Sequence, residues 1–119
     1  MAEKKNETST TAEKLLDSGK KATHYTMSFA TPFKYEDKEL NSLTFDFTKL
    51  TGRDFVAIYR ELSSKGIIVL SPRFDPDFCT IMAAKACTEP VGSDLIQALP
   101  MNKFEQLMVS CRNFFNEPG

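Results

Sequence analysis

Between residues 50 and 62 the spacing of apolar residues changes period, and that change restricts what the chain can fold into. Upstream, Tyr25, Met27 and Phe29, and later Leu43, Phe45 and Phe47, alternate with polar neighbours, the period of a half-buried strand. Downstream, Phe55, Ile58, Tyr59 and Leu62 recur at i, i+3, i+4 and i+7, the stripe of an amphipathic helix. The switch point is marked by Thr51 and, three residues on, Asp54, a capping-box pair in which hydroxyl and carboxylate each accept an otherwise unpaired amide. Leu50 and Phe55 flank it at N′ and N4 as a hydrophobic staple, and an N-cap alone is worth about 1 kcal/mol. Phe55 is accordingly expected to be a core residue.

Strands followed by helices make an α+β fold. The chain has 119 residues, which suits one domain. Residues 1–23 are mostly Lys, Glu, Thr, Ser and Ala, with Leu15 and Leu16 as the bulky aliphatic pair. Such a segment cannot offset its ordering entropy, so it is expected to be a disordered arm, with at most a marginal helix over residues 11–17. Residues 24–119 form the expected single domain, and ten phenylalanines supply its core without staples.

In the alternating region, residues 35–39 are charged and read as the turn of an antiparallel hairpin, with Pro32 ending or edging the first strand. One face of that hairpin is rich in Phe and must be covered by the helices that follow. Gly66 is placed to cap the first helix. Residues 67–70 are four branched apolar residues, and periodicity over so short a run leaves either a third strand or a buried connection. Asp75 and Pro76 start a second helix, which is apolar on most of its circumference and therefore central. Ser93 is expected to cap a short helix bearing Leu95, Ile96 and Leu99, and Asn102 with Glu105 reads as a second capping box for the last helix. The fold class is thus a hairpin, two or three strands, packed on three to four helices.

Chemistry is sparse. The formal net charge of −1 gives no generic attraction to nucleic acid, which needs clustered Lys and Arg. No apolar run approaches the ~20 residues that span a bilayer, and the opening residues lack the apolar core of a signal peptide. His24 has no partner at metal-ligand spacing, Glu36, Asp37 and Glu39 read as a solvated turn, and Asp75 and Asp77 as a cap without EF-hand spacing. No phosphate-cradling glycine loop or serine elbow is present, so no catalytic residue, metal or cofactor is expected. Cys79, Cys87 and Cys111 are odd in number and lie on helix faces among Phe, Ile, Met and Ala, as small buried hydrophobes of a reduced, cytoplasmic protein would. The remaining excess is aromatic. Phe114 and Phe115 are adjacent at a helix end and cannot share one face, so either one of them is exposed as a partner surface, with Met108 and Phe104 adjoining, or both wrap the end of a small core.

The order of these features resembles the tail assembly chaperones of long-tailed bacteriophages. The resemblance rests on Thr31-Pro32-Phe33-Lys34-Tyr35 leading into a charged turn, on Leu43-Thr44-Phe45, on Leu50-Thr51-Gly52-Arg53-Asp54, and on Cys79-Thr80-Ile81-Met82-Ala83-Ala84-Lys85-Ala86. It covers residues 25 to about 115. Many relatives carry glycine in the hairpin turn, where this chain has Glu36-Asp37-Lys38. The resemblance implies a non-catalytic phage or prophage protein that binds the tape measure protein in the bacterial host cytoplasm, with no catalytic residues to transfer. Two alternatives stand beside it: a self-associating structural tail component, and a small thiol-dependent enzyme using Cys79 or Cys111.

Overall fold

A computed structural model describes residues 24–116; the expected N-terminal arm, residues 1–23, lies outside the described residues. Strands β1 (His24–Tyr35) and β2 (Lys38–Asp46) form an antiparallel hairpin. Four α-helices follow: α1 (Gly52–Ser64), α2 (Pro76–Ala86), α3 (Ser93–Gln97) and α4 (Met101–Phe115). Short 3-10 turns at Phe47–Lys49 and Pro72–Phe74 lead into α1 and α2. This is the α+β architecture the sequence implies.

The hairpin differs from expectation in its connection and length. Its turn is only Glu36 and Asp37, since Tyr35 already pairs with Lys38. Glu36 sits at φ 56°, in the left-handed region that glycine occupies without steric cost. Pro32 does not end β1 but lies in an irregular stretch between the Ser28–Ser42 and Phe33–Leu40 pairs, where four residues of β1 face Asn41 alone. A proline is tolerated there because no ladder N–H is required at a bulge. The break is braced from α4: Lys103 Nζ donates to the Ser28 carbonyl at 3.0 Å and lies 6.0 Å from the centre of the Phe29 ring, which stacks on Phe33.

Before the bulge the expected alternation holds. Met27, Leu43 and Phe45 are buried on one face, while the Thr26 and Thr44 hydroxyls meet at 3.1 Å on the other. Helix α2 covers that apolar face. It buries Phe78, Cys79, Thr80, Met82, Ala83 and Ala86, and the alanines let neighbouring backbone come close. After α2 the chain lies back along β2 through a Phe45–Cys87 bridge and a Thr88 N–H to Thr44 carbonyl bond of 2.8 Å. Leu95, Ile96 and Leu99, then Leu107, Met108 and Cys111 of α4, complete the core.

The local signals had mixed outcomes. The α1 capping box forms: Thr51 Oγ1 accepts from the Arg53 N–H at 3.2 Å, and Asp54 Oδ2 accepts from the Thr51 N–H at 2.8 Å. Gly66, at φ 79°, closes α1 in a Schellman arrangement, with Gly66 N–H to Ser63 and Ile67 N–H to Leu62 carbonyl bonds both at 2.9 Å. Asp75 caps α2 through the Phe78 N–H, with Pro76 at its first turn. The Asn102–Glu105 box does not form, because α4 begins at Met101: the Pro100 carbonyl takes the Lys103 and Phe104 amides, leaving Asn102 inside the first turn. Ser93 likewise falls inside α3, behind Gly92 at the N-cap. Residues 67–70 are a connection and not a strand; Val69 is buried while Ile68 and Leu70 point outward.

Candidate functional site

The residues singled out on the last helix separate into three environments. Met108 is buried in the core. Phe104 lines a recess with Pro76, Asp77, Thr80, Leu99 and Met101. Phe114 and Phe115, ten and eleven residues or about 15–16 Å further along the helix, line another concavity. These residues therefore do not make one surface.

Phe114 and Phe115 cannot share one helix face, yet both meet the core. They diverge by one helical step, and each finds a separate wall. Phe114 stacks on buried Phe47 at 5.3 Å. Phe115 packs at 6.3 Å from Phe78 and edge-on at 6.5 Å from Phe55, with the Arg73 guanidinium 5.6 Å over its ring. Arg73 is itself held by donating to Asn116 Oδ1 at 2.6 Å. Both phenylalanines are part-buried, facing a gap that they do not fill.

That gap is an apolar groove of about 220 Å³. Its floor is Ile58, Phe78 and Met82, and its walls are the start of α1 with Leu50 on one side and Phe114–Phe115 on the other. The capping box builds the first wall by fixing the chain direction at Thr51; Gly52 has no side chain to fill the opening, and the Phe55 ring lies 4.9 Å from that of Phe78. Phe55 was expected in the core, yet it is 40% exposed. Only Ile58 and Leu62 of the α1 stripe are buried; α1 lies at the domain's edge and α2 covers just part of its apolar face. Tyr59 and Val56, also over 40% exposed, extend the uncovered apolar surface. Phe55, Phe78 and Met82 are site residues that the sequence pattern did not single out. The signal available was Phe55 beside Gly52 at a helix start, and it does not by itself distinguish a wall from a core.

The groove can do one kind of chemistry, which is to hide apolar side chains. The only ionisable group among its lining residues is Asp54, whose carboxylate is occupied by Thr51. Among the described residues no three His, Cys, Asp or Glu side chains are grouped to hold a metal ion. His24 stands at the open end of the hairpin, its Nε2 3.2 Å from Asp46 Oδ1. Glu36, Asp37 and Glu39 are solvated at the hairpin tip. The cysteines are free and buried. Cys79 and Cys111 face each other between α2 and α4: the hydrogen bond between them pulls the Cys79 thiol down and, together with burial, pushes the Cys111 thiol far up, while burial pushes the Cys87 thiol up. Cys87 and Cys111 therefore hold their protons at neutral pH. No helix among the described residues is long and apolar enough to cross a membrane.

Compared with protein-family models, curated proteins and solved structures, the chain gives no match.

Proposed function

We propose that the chain is a phage or prophage tail assembly chaperone that holds an apolar helical segment of the tape measure protein in the groove between α1, α2 and α4. One observation carries the proposal: an open apolar groove walled by Phe55, Phe114 and Phe115 and lacking a free reactive group. An amphipathic client helix laid into such a groove buries anchors at i, i+3, i+4 and i+7, and aromatic walls provide large contact area. The resemblance of the hairpin, of the Leu50–Asp54 entry and of α2 to tail assembly chaperones supports the same assignment. The thiol-dependent alternative would need a reachable thiolate, which the burial of Cys79 and Cys111 disfavours.

The test compares a double change of Phe55 and Phe115 to Ser with a double change of Glu36 and Lys38 to Ser at the hairpin tip. Loss of co-purification with the tape measure protein of the same phage or prophage is expected for the groove variant alone, with circular dichroism unchanged. A folded groove variant that still co-purifies would place the client elsewhere.

A further inference from the structure

The outer edge of β1 carries backbone groups that point away from the hairpin. The Thr44 carbonyl accepts the Thr88 N–H at 2.8 Å, so the Thr44 backbone faces away from β1. In an antiparallel ladder the N–H and C=O of a residue point to one side of its strand, and directly opposed residues either both face each other or both face away. Thr26, opposed to Thr44, and Ser28, two residues on and opposed to Ser42, therefore turn their N–H and C=O groups away from β2. The Ser28 carbonyl agrees with this direction, since it takes Lys103 Nζ from α4 at 3.0 Å. Among the described residues no other backbone group bonds to Thr26 or Ser28 on that side.

Proteins ordinarily close a strand edge with charge, proline or a bulge. On β1 the bulge and Pro32 close the stretch after Ser28, but no residue from Tyr25 to Phe33 is charged, so the edge before the bulge has no electrostatic guard of its own. Charge and register both select a second copy as the strand that fits. Identical uncharged strands set no like charges opposite one another, and a net charge of −1 gives little repulsion between whole chains. Antiparallel pairing about a two-fold axis at Met27 sets Thr26 against Ser28 of the second copy, which matches every outward N–H to an outward C=O. The Ser28 carbonyl has two lone pairs and accepts this bond beside that from Lys103. The same register sets Tyr25 against Phe29 of the second copy on the face toward the helices, where both rings are half-buried in the single chain. Cross-strand aromatic pairs of this kind stabilise sheets.

We propose that β1 pairs with β1 of a second copy through Thr26 and Ser28, joining two hairpins into one continuous sheet. A two-stranded sheet is marginal by itself, and added strands stabilise it. The pairing is isologous, so it closes at two copies and leaves no repeating edge. Lys103 meets the edge at the start of α4, whereas Phe114 and Phe115 wall the groove at its end, so the two surfaces are separate on each chain. The pairing does not require the tape measure assignment.

The test follows mass by analytical ultracentrifugation and amide exchange by nuclear magnetic resonance on the full chain over a dilution series. Where the mass is that of a dimer, the Thr26 and Ser28 amides should exchange as slowly as those of Tyr25 and Met27, which face β2; on dilution to the monomer only Thr26 and Ser28 should speed up. Two altered chains test the contact directly, Thr26→Glu with Ser28→Glu and Thr26→Lys with Ser28→Lys, all at exposed positions. Like charges then oppose across the two-fold, so each altered chain alone should dimerise about tenfold or more weakly, and an equimolar mixture of the two should recover the dimer. Ser42→Glu, exposed on β2 and away from the edge, should dimerise as the unaltered chain does. A monomer at every concentration overturns the proposal, as does a dimer in which Thr26 exchanges fast. Slow Thr26 exchange at monomer mass also overturns it, because it assigns the edge to residues of the same chain. Circular dichroism checks the variants, and if the altered chains unfold, the exchange and mass of the unaltered chain still decide. No client is present in this measurement, so failure of the tape measure reading leaves its outcome unaffected.

Discussion

Replacing Phe55 with Ala separates a groove wall from a core side chain. Truncating a fully buried Phe costs about 3–5 kcal/mol, part of which is the cavity left behind. Phe55 is 40% exposed, so about 60% of it is covered, and it borders an opening already in contact with solvent. Its truncation widens the groove without sealing a void. With about 1.5–3 kcal/mol for full burial of a large apolar side chain, the covered fraction gives a loss of roughly 1–2 kcal/mol. Phe78, at 1% exposure, should lose the full 3–5 kcal/mol on the same change. Urea unfolding followed by circular dichroism measures both, and equal denaturant slopes license the comparison. If Phe55→Ala is as costly as Phe78→Ala, the ring closes the core and the groove is misassigned; if it is silent, Phe55 does not rest on Phe78.

Gly66→Ala should destabilise by about 1–2 kcal/mol, because its φ of 79° is left-handed, and thermal unfolding reads the loss. Thr51→Ala should cost about 1 kcal/mol through the α1 cap, read by the same method, whereas Asn102→Ala should be nearly silent because its side chain caps nothing. All three cysteines should resist alkylation in native buffer and react fully in denaturant, as counted by mass spectrometry. Asp46 has its carboxyl held below the ordinary value of 3.8, first by the Thr48 hydroxyl. A carboxyl lowered on folding adds stability above its unfolded pKa and loses it as pH falls through the folded one, so Asp46→Asn should flatten the acid limb of a stability profile below about pH 4.

Features whose partners are close in sequence were the legible ones. Thr51 with Asp54, Gly66 at the end of α1, and Asp75-Pro76 before α2 each complete their hydrogen bonds within a few residues, so the residue types imply the geometry. Asn102–Glu105 failed under the same rule because Pro100, already in extended backbone at φ −55° and ψ 145°, starts α4 earlier. The strand parity of Met27, Leu43 and Phe45 was readable; the bulge that keeps Pro32 inside β1 was not, since it depends on pairing with β2. Phe55 and Tyr59 mark the limit of a helical stripe, which gives the direction of the apolar face but not how much of it a neighbour covers. The groove was half visible, in Phe114 and Phe115, because the rings that separate them, Phe47 on one side and Phe78 with Phe55 on the other, come from distant parts of the chain.

The most direct measurement of the central claim is amide hydrogen exchange of the full chain with and without the tape measure protein. Added protection should concentrate at the start of α1, from Gly52 to Ile58, and at the end of α4 around Phe114 and Phe115, with the hairpin tip at Glu36 unchanged. Protection centred on the hairpin or on the Phe104 recess, with the α1 and α4 groove exchanging as before, would contradict the account.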